Sequence, residues 1–187
     1  MYFWDINYSK LFMNQPLKYA VFGAGSWATA IVKMLCENLN EVGWYMRSTY
    51  IKEHLLKEQH NPGYLSSVEF HLERLKLSND INEIADYADV LIFVIPSAFI
   101  HGELEKLQND ISKKVIVSAV KGIMPASGLL VGEHFHEIYK VPYENIAIIA
   151  GPCHAEEVAL ERLSYLTISC SDAAKAKAIA KNLSSEY

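Results

Sequence analysis

The sequence predicts an α/β fold: a doubly wound, mostly parallel sheet with helices on both faces. Continuous apolar runs such as VLIFVI at residues 90–95 are typical of parallel strands that are buried on both sides. These runs alternate with helix-competent segments, which favours strand–helix–strand units. A glycine turn joins the first strand to the first helix within residues 18–31. Each of these observations is local, and together they indicate an open α/β sheet.

The glycine turn has the composition of a phosphate-binding loop. Residues 18–31 read KYAVFGAGSWATAI and contain the pattern G-x-G-x-x-A between a strand and a helix. Gly23 permits the sharp turn, and Gly25 lacks a Cβ, so a pyrophosphate can approach the backbone. Ala28 is the third small residue, which lets the helix pack closely on the strand. Because the free N–H groups at the helix start face the phosphates, the stretch predicts a Rossmann-type dinucleotide site.

Composition limits the size and class of the protein. The chain has 187 residues, of which 51% are hydrophobic, enough for one sizeable α/β domain or a domain and part of another. A formal net charge of −5 argues against nucleic acid as a partner, because such proteins usually present a basic face. No apolar run approaches the roughly 18 residues that a membrane span needs, so none is expected.

The cysteines predict the cellular location of the protein, and the N-terminal stretch predicts where the domain begins. Cys36, Cys153 and Cys170 are widely spaced and odd in number, which fits neither a disulfide framework nor a zinc site. We therefore expect reduced thiols, a cytoplasmic location and no metal. Residues 1–17 have no basic leader, so they are expected to be an N-terminal extension and not a secretory signal. The predicted Rossmann domain spans residues 18–187.

The remaining elements follow from apolar runs and from capping residues. Thr49 is a suitable N-cap for the second helix, and Asp172 caps the last one. Asp80 with Glu83 forms a capping-box pair at the start of the third helix. Strands are predicted at 41–46, 75–77, 90–95, 115–117, 146–150 and 163–170, and helices at 29–39, 50–58, 81–87, 99–108, 129–139 and 173–183.

Arg47 occupies the end of the second strand, where an NAD-selective site should have an acidic residue for the ribose hydroxyls. No Asp or Glu is present there. An arginine can pair with a 2′-phosphate and stack on adenine, so NADP is as plausible a cofactor as NAD. The alternative is a solvated arginine at a strand end.

Other candidate site residues follow the predicted strands at their carboxyl ends, where ligands bind in open α/β sheets. Phe99 is placed to lean on the nicotinamide half, although a loop or core aromatic fits the spacing equally well. Lys121 comes just after a buried strand and before a glycine, so it points into the crevice or is solvated. Gly151 begins a Gly-Pro turn that repeats the geometry of the first loop and suits a second phosphate or carboxylate.

The histidines and cysteines do not suggest catalysis. His134 and His136 are two residues apart in a predicted helix, which puts them on different faces, so they are expected at the surface and not at a metal. Cys153 and His154 are adjacent in sequence, and neighbours rarely face each other as a nucleophile and base must.

Four signatures occur in order: GAGSWATA at residue 23, NPGYL at 61, SAVKGI at 118 and AGPCHAEEVA at 150. Together they closely resemble the NAD(P)-dependent glycerol-3-phosphate dehydrogenase family, from about residue 18 to the last residue. The resemblance is specific, because V-K-G-I after a strand and the G-P-x-x-A-x-E-V turn rarely occur together elsewhere. The family reduces dihydroxyacetone phosphate to sn-glycerol 3-phosphate, the backbone of glycerophospholipids.

The resemblance implies roles for particular residues. Lys121 would touch both cofactor and substrate and act in catalysis, because a cation there stabilises charge on the carbonyl oxygen during hydride transfer. The substrate phosphate would lie beside Gly151 and Cys153. The implied cofactor contacts are Gly23, Gly25, Ser26, Trp27, Arg47 at the adenosine end, Phe99 on the nicotinamide side, Lys121 and Ala155.

The chain departs from the family's pattern in three ways. Family members more often have Gly where Ala28 stands, and Ser or Thr where Cys153 stands; a thiol is the weaker hydrogen-bond donor. The family continues into a helical second domain that supplies a general acid/base lysine, and nothing here resembles it. We therefore expect a fragment of a two-domain enzyme that binds the dinucleotide and does not turn over alone. The full-length enzyme is compatible with a homodimer.

Two alternatives remain at the level of sequence. One is another dehydrogenase with a Rossmann domain ahead of a helical domain, such as a ketopantoate reductase or a 3-hydroxy acid dehydrogenase. The other is a non-catalytic dinucleotide-binding module that senses redox state or scaffolds a partner. A pure sensor has no use for Lys121 and the Gly151 turn as a second anion site.

Overall fold

A computed structural model of the chain describes residues 16–184, so residues 1–15 of the expected extension lie outside the described residues. It contains a seven-stranded sheet in the order β3-β2-β1-β4-β5-β6-β7. Strands β1 to β6 are parallel, and β7 runs antiparallel to β6. The strands are β1 (Tyr19–Phe22), β2 (Val42–Tyr45), β3 (Leu75–Ser78), β4 (Val90–Phe93), β5 (Val115–Ser118), β6 (Ile146–Ala150) and β7 (Thr167–Cys170). The predicted doubly wound, mostly parallel α/β sheet is confirmed.

Within the described residues there are seven α-helices, of which six lie between strands and the last follows β7. None of them is both long enough and apolar enough to cross a membrane. The helices are α1 (Ser26–Asn38), α2 (Thr49–Glu58), α3 (Ile81–Tyr87), α4 (Ser97–Leu104), α5 (Val131–Tyr139), α6 (Ala155–Ala159) and α7 (Ala173–Asn182).

The two faces of the sheet bury separate hydrophobic cores, because successive strand residues point to opposite sides. In β1, Tyr19 and Val21 belong to the core beneath α1, α2, α6 and α7. Ala20 and Phe22 belong to the core beneath α3, α4 and α5. All four of these residues are almost completely buried. A central strand must therefore be apolar at every position, as the sequence is here.

The strand register brings the carboxyl ends of the central strands to one edge of the sheet. Phe22, the last residue of β1, pairs with Tyr45 at the end of β2 and with Phe93 at the end of β4. The connections from β1 and β4 leave in opposite directions, so a crevice opens between the loops that follow them. This topological switch point is where open α/β sheets bind their ligands.

Two predictions about helix capping were wrong. Ser48, not Thr49, is the N-cap of α2, and its Oγ accepts a hydrogen bond from the Ile51 N–H at 3.3 Å. Asp80 does cap α3. Glu83 does not complete a capping box, because its carboxylate bonds instead to residues 76 and 78 on β3.

The prediction that His134 lies at the surface was also wrong. The side chain is 6% exposed and packs against His101 of α4 and Tyr139 of its own helix. His136 is half-buried, and its ring stacks on Tyr143 at 4.0 Å between centroids. Spacing along a helix shows that two residues point in different directions, but the neighbouring helix decides which direction is inside.

Candidate functional site

The first turn after β1 requires glycine at one position and leaves space at another. Gly23 has φ +129°, and a Cβ there would lie 2.7 Å from the Val94 carbonyl oxygen. Its N–H donates to the Tyr45 carbonyl at 3.0 Å. Gly25 has φ −78°, which any residue can adopt, and a Cβ there would meet nothing within 4 Å. Gly23 is therefore required by the fold, whereas the absence of a side chain at Gly25 keeps space open for a ligand.

Helix α1 begins directly after this turn and presents an uncapped N-terminus. Gly25 is its N-cap residue, no side chain caps the helix, and its first turn contains no acidic residue. The first N–H groups of a helix have no partner within the helix, and the helix dipole favours negative charge there. Ala28 is fully buried, which permits the close helix–strand packing expected of the third small residue. The turn and the helix start thus have the features that bind a phosphate.

A cavity of about 420 Å³ lies at the carboxyl edge of the sheet and collects most of the predicted site residues. This volume is within the usual range for a small-molecule site. The predicted residues among its lining are Ser26 and Trp27 from α1, Lys121 after β5, Gly151 and Cys153 after β6, and Ala155 at the start of α6.

A second cavity, of about 310 Å³, holds the other predicted residues: Gly23, Gly25, Arg47 and Phe99. The two cavities share a wall formed by residues 94–96, directly after β4. Phe99 thus lines the cavity of Arg47 and does not line the cavity of Lys121. Its expected contact with the nicotinamide half stays a prediction.

The second cavity also contains a buried carboxylate that the sequence analysis did not single out. Glu103 of α4 is 5% exposed; the Tyr45 hydroxyl donates to it, and Lys106 Nζ lies 2.9 Å from it. Burial alone would raise the pKa of Glu103, but the hydrogen bonds from Tyr45 and Lys106 outweigh burial and hold that pKa below its usual range. The carboxylate therefore stays ionised and partnered beside the cavity.

The cations of the two cavities are exposed and free to meet a ligand. Lys121 is solvent-exposed and has neither a hydrogen bond nor an ion pair within residues 16–184. Across the same described range, Arg47 likewise has no carboxylate within 4.0 Å. Each cation can therefore meet an anionic ligand without first breaking an ion pair to a described residue.

The turn after β6 has a packing reason for its glycine. A Cβ on Gly151 would lie 2.5 Å from the Tyr165 carbonyl oxygen, so the backbone of residue 165 occupies the place of a side chain. Cys153 Sγ donates to that same carbonyl at 3.0 Å. Helix α6 has only five residues, and its first turn contains Glu156 and Glu157. Lys121 therefore attracts an anion in the first cavity more strongly than the start of α6 does.

Within residues 16–184, no group of three or more His, Cys, Asp or Glu side chains is arranged to hold a metal ion. His134 lies on α5, whose buried side chains pack against the face of the sheet that α4 also covers. Its neighbours are aromatic rings, including those of His101 and Phe135.

Comparison with known proteins identifies the family. The family model described as NAD-dependent glycerol-3-phosphate dehydrogenase N-terminus matches residues 18–176. The chain belongs to this family. The match includes every predicted site residue, and the predicted resemblance to this family is confirmed.

Curated relatives agree with the family match, and solved structures share the fold. The glycerol-3-phosphate dehydrogenase [NAD(P)+] of Corynebacterium aurimucosum is 34% identical over 169 residues, which are 90% of this chain and 51% of the relative. The fold is similar to the glycerol-3-phosphate dehydrogenase structure from Plasmodium falciparum (TM-score 0.82, 23% identity, 96% of this chain and 53% of that one). The structure from Coxiella burnetii is also similar (TM-score 0.77, 24% identity, 91% and 51%). The chain spans about half the length of the relatives it matches.

The site contains residues that the sequence analysis passed over. Ser97, His154 and Glu156 line the first cavity beside the predicted residues. Asn61, from the NPGYL signature, is fully buried and bonds to the glycine turn. Asn61 lies in one of the four family signatures, which was the available signal, but its contact partner is 37 residues away.

Proposed function

We propose that this chain is the cofactor-binding half of an NAD(P)-dependent sn-glycerol-3-phosphate dehydrogenase. In this proposal residues 18–187 are the Rossmann domain and residues 1–17 an extension. One observation supports it most strongly: the glycine turn, the exposed Arg47 and the exposed Lys121 line two adjacent cavities at the switch point of a parallel sheet. Family membership gives this geometry its chemistry.

The cofactor is NADH or NADPH, and the residues present fit it. The turn at Gly25, where a Cβ would meet open space, and the uncapped start of α1 would hold the pyrophosphate. Arg47 would hold the adenosine end in the second cavity. Phe99 lines the same cavity, and its predicted place is on the nicotinamide side of the cofactor. Ser26, Trp27 and Ala155 would hold the remainder in the first cavity. When bound, the nicotinamide supplies the hydride for carbonyl reduction.

The substrate is dihydroxyacetone phosphate, which occupies the first cavity. The balanced reaction is dihydroxyacetone phosphate + NAD(P)H + H⁺ → sn-glycerol 3-phosphate + NAD(P)⁺, and it is reversible. Lys121 attracts the anionic substrate and stabilises the negative charge that develops on the carbonyl oxygen. The backbone at Gly151 and Cys153 borders the substrate phosphate. The proton donor and further phosphate contacts come from the half of the relatives that this chain does not match.

The proposal extends to the setting of the enzyme. All three cysteines are free thiols, which supports a cytoplasmic location. The net charge of −5 supports small anionic ligands held locally by Lys121 and Arg47, and disfavours nucleic acid. The full-length enzyme is compatible with a homodimer.

Cofactor binding is tested on this chain directly. NADH and NADPH are titrated in parallel, and quenching of Trp27, which lines the first cavity, is followed by fluorescence. The Trp27→Phe variant shows how much of the signal arises there. Saturable binding of either cofactor supports the proposal. No binding at millimolar concentration overturns the claim that this half is a self-sufficient cofactor domain.

Catalysis is tested on a protein that carries both halves. Lys121→Met should lower kcat/KM for dihydroxyacetone phosphate by about 10²–10³-fold, because a preorganised cation at the oxyanion is lost. The matched control is Lys113→Met, an exposed lysine away from both cavities. Cofactor binding with no turnover of dihydroxyacetone phosphate would instead identify a non-catalytic dinucleotide module. Robust turnover by the 187-residue chain alone would contradict the two-half proposal.

A further inference from the structure

Every carbonyl group of the glycine turn 23–25 accepts a hydrogen bond from a buried side chain. Trp44 Nε1 donates to the carbonyl of residue 23 at 2.7 Å. Asn61 Nδ2 donates to the carbonyl of residue 24 at 3.0 Å. Thr29 Oγ1 donates to the carbonyl of residue 25 at 3.0 Å. All three donors are 0% exposed. The turn is thus bonded, one carbonyl after another, to the protein interior.

Asn61 is the centre of this arrangement because it uses its whole amide group. Besides the bond to the turn, Nδ2 donates to Thr29 Oγ1 at 2.9 Å. Its Oδ1 accepts from the Gly63 N–H at 3.0 Å. The carbonyl of residue 24 and Thr29 Oγ1 need a donor, which only the amide nitrogen supplies, and the Gly63 N–H needs an acceptor, which only the amide oxygen supplies. The amide therefore has a single orientation. Thr29 Oγ1 accepts from Asn61 and in turn donates to the turn, so the two residues form a directional relay.

The direction of these bonds matters for an anionic ligand. A carbonyl that rotated towards the cavity would present its negative end to the pyrophosphate. With the carbonyls held inward, the N–H groups of Ala24 and Gly25 stay available, and neither has an acceptor within residues 16–184. Because these donors are in place before binding, the binding free energy is not reduced by the entropy of ordering them.

We propose that Asn61 is a positioning residue for the cofactor's pyrophosphate, acting through Thr29 and the turn at 23–25. The inference rests on the proposed function of the turn as a dinucleotide site. It assigns a role to the NPGYL signature, whose asparagine lines neither of the two cavities. An aspartate cannot replace it, because a carboxylate has no N–H to donate to the carbonyl of residue 24. It would also accept the proton of the Thr29 hydroxyl, which now donates to the carbonyl of residue 25.

Two ligands separate positioning from general stability. ADP-ribose contains the pyrophosphate, whereas 2′-AMP contains the adenosine end and a 2′-phosphate without it. Asn61→Asp should weaken ADP-ribose binding by about tenfold or more. The variant loses the hydrogen bond to the carbonyl of residue 24 and leaves that partly buried carbonyl without its donor. Binding of 2′-AMP should stay within about twofold of the wild type. A variant that merely loosened the fold would weaken both ligands together.

The relay gives a second variant if Asn61→Asp does not fold. Thr29→Val has nearly the same shape but lacks the hydroxyl, so the carbonyl of residue 25 keeps only its bond from the backbone N–H of residue 29. This variant should therefore weaken ADP-ribose selectively as well. Thr29→Ser keeps the hydroxyl that Thr29→Val lacks, so its affinity for ADP-ribose should stay close to that of the wild type. The matched control is Asn38→Asp: the Asn38 amide donates to the carbonyls of residues 182 and 184, remote from the turn. It should lower the melting temperature without a selective loss of ADP-ribose.

The outcomes separate the two proposals. Selective loss of ADP-ribose in Asn61→Asp and Thr29→Val, with rescue in Thr29→Ser, supports the positioning role. Wild-type binding of ADP-ribose with equal affinity in both variants overturns the positioning role and leaves the dinucleotide site standing. A wild-type chain that binds no ADP-ribose overturns both.

Discussion

The guanidinium of Arg47 lies over the ring of Phe99, with 5.4 Å between Cζ and the ring centroid. The pair joins the end of β2 to the first turn of α4 at the second cavity. Phe99 is 54% exposed, although large aromatic side chains are usually buried. The guanidinium lies flat on an exposed ring, and the N–H groups at its edge can still donate to phosphate oxygens. Arg47 is therefore well suited to bind the adenosine end of the cofactor, where NADP carries its 2′-phosphate.

Arg47 should therefore determine how strongly the chain prefers NADPH. Arg47→Ala is expected to weaken NADPH by about tenfold and NADH by about threefold or less, since only NADPH loses a charge-assisted bond to a 2′-phosphate. The measurement is the ratio of the two dissociation constants at fixed ionic strength. Lys113→Ala, an exposed cation elsewhere, should leave the ratio unchanged. An equal loss for both cofactors in Arg47→Ala would show that this residue does not read the 2′-position.

The two glycines of the first turn should separate stability from binding. Gly23→Ala forces a Cβ against the Val94 carbonyl at φ +129° and should destabilise the fold by about 3 kcal/mol. Gly25→Ala places its Cβ in open space and should change stability by only about 0.5 kcal/mol. It should nevertheless weaken NADH by about tenfold, because the methyl group occupies the place of the pyrophosphate. Urea unfolding and NADH titration measure the two effects; a destabilised Gly25→Ala would contradict this division.

His134 should make stability depend on pH in the mildly acidic range. Burial, together with the neighbouring His101, lowers the pKa of His134 below its ordinary value of 6.5. The unfolded chain then binds this proton more readily than the folded one. The contribution of His134 is complete above pH about 6.5 and is lost as the pH falls towards the folded-state pKa.

The test compares urea midpoints at pH 7.5 and pH 5.5, conditions on either side of that ordinary value. His134→Phe has a ring of similar size and no titrating group, so it should show a smaller drop in stability between the two conditions. His71→Phe is the matched control, because that histidine is largely exposed. Identical pH profiles for the wild type and His134→Phe would exclude His134 as the source.

The cysteines should differ in their reaction with alkylating reagents. Burial raises the pKa of Cys36 to about 12, so this thiol should be nearly inert at pH 8. Cys153 lines the first cavity and should react faster. Saturating NADH should slow alkylation of Cys153 and leave Cys170, which lies on β7, unaffected. Peptide mass spectrometry after timed labelling measures all three rates, and Cys153→Ser confirms the assignment. Equal protection of Cys153 and Cys170 would indicate a global change instead of a local ligand.

Much of the fold could be predicted from residues close together in the chain. The continuous apolar runs identified the buried central strands, such as VLIF in β4, because a parallel strand covered on both faces has no polar side. The edge strand β3, which reads LKLS, was also predicted, although it has no such run. The seventh strand was predicted too long, from 163, whereas β7 begins at Thr167. Leu163 and Tyr165 are about 70% exposed, so their apolar character did not mean burial. The Asp172 cap was correct because capping involves only neighbouring residues.

The candidate site residues were named from motifs, but their division between two cavities was not predicted. Phe99 lines the cavity of Arg47, and its expected contact with the nicotinamide half stays a prediction. Gly151 was expected to begin a turn that suits a phosphate; the structure adds a packing reason for the glycine, because the Tyr165 carbonyl occupies the place of a side chain. Both observations arise from contacts between segments that are far apart in the chain, which motif spacing does not report.

The sequence by itself determined the strand–turn–helix unit, the glycine at 23, the parallel α/β class and the family, because these depend on short-range sterics and on local patterns. Only the tertiary structure decided the neighbours: Arg47 beside Phe99, Asn61 beneath the glycine turn, and His134 inside the core. The strand order places β4 next to β1, although β2 and β3 intervene in sequence. Hydrogen bonds and ring contacts act over a few ångströms of space, so folding must bring these segments together before such contacts exist.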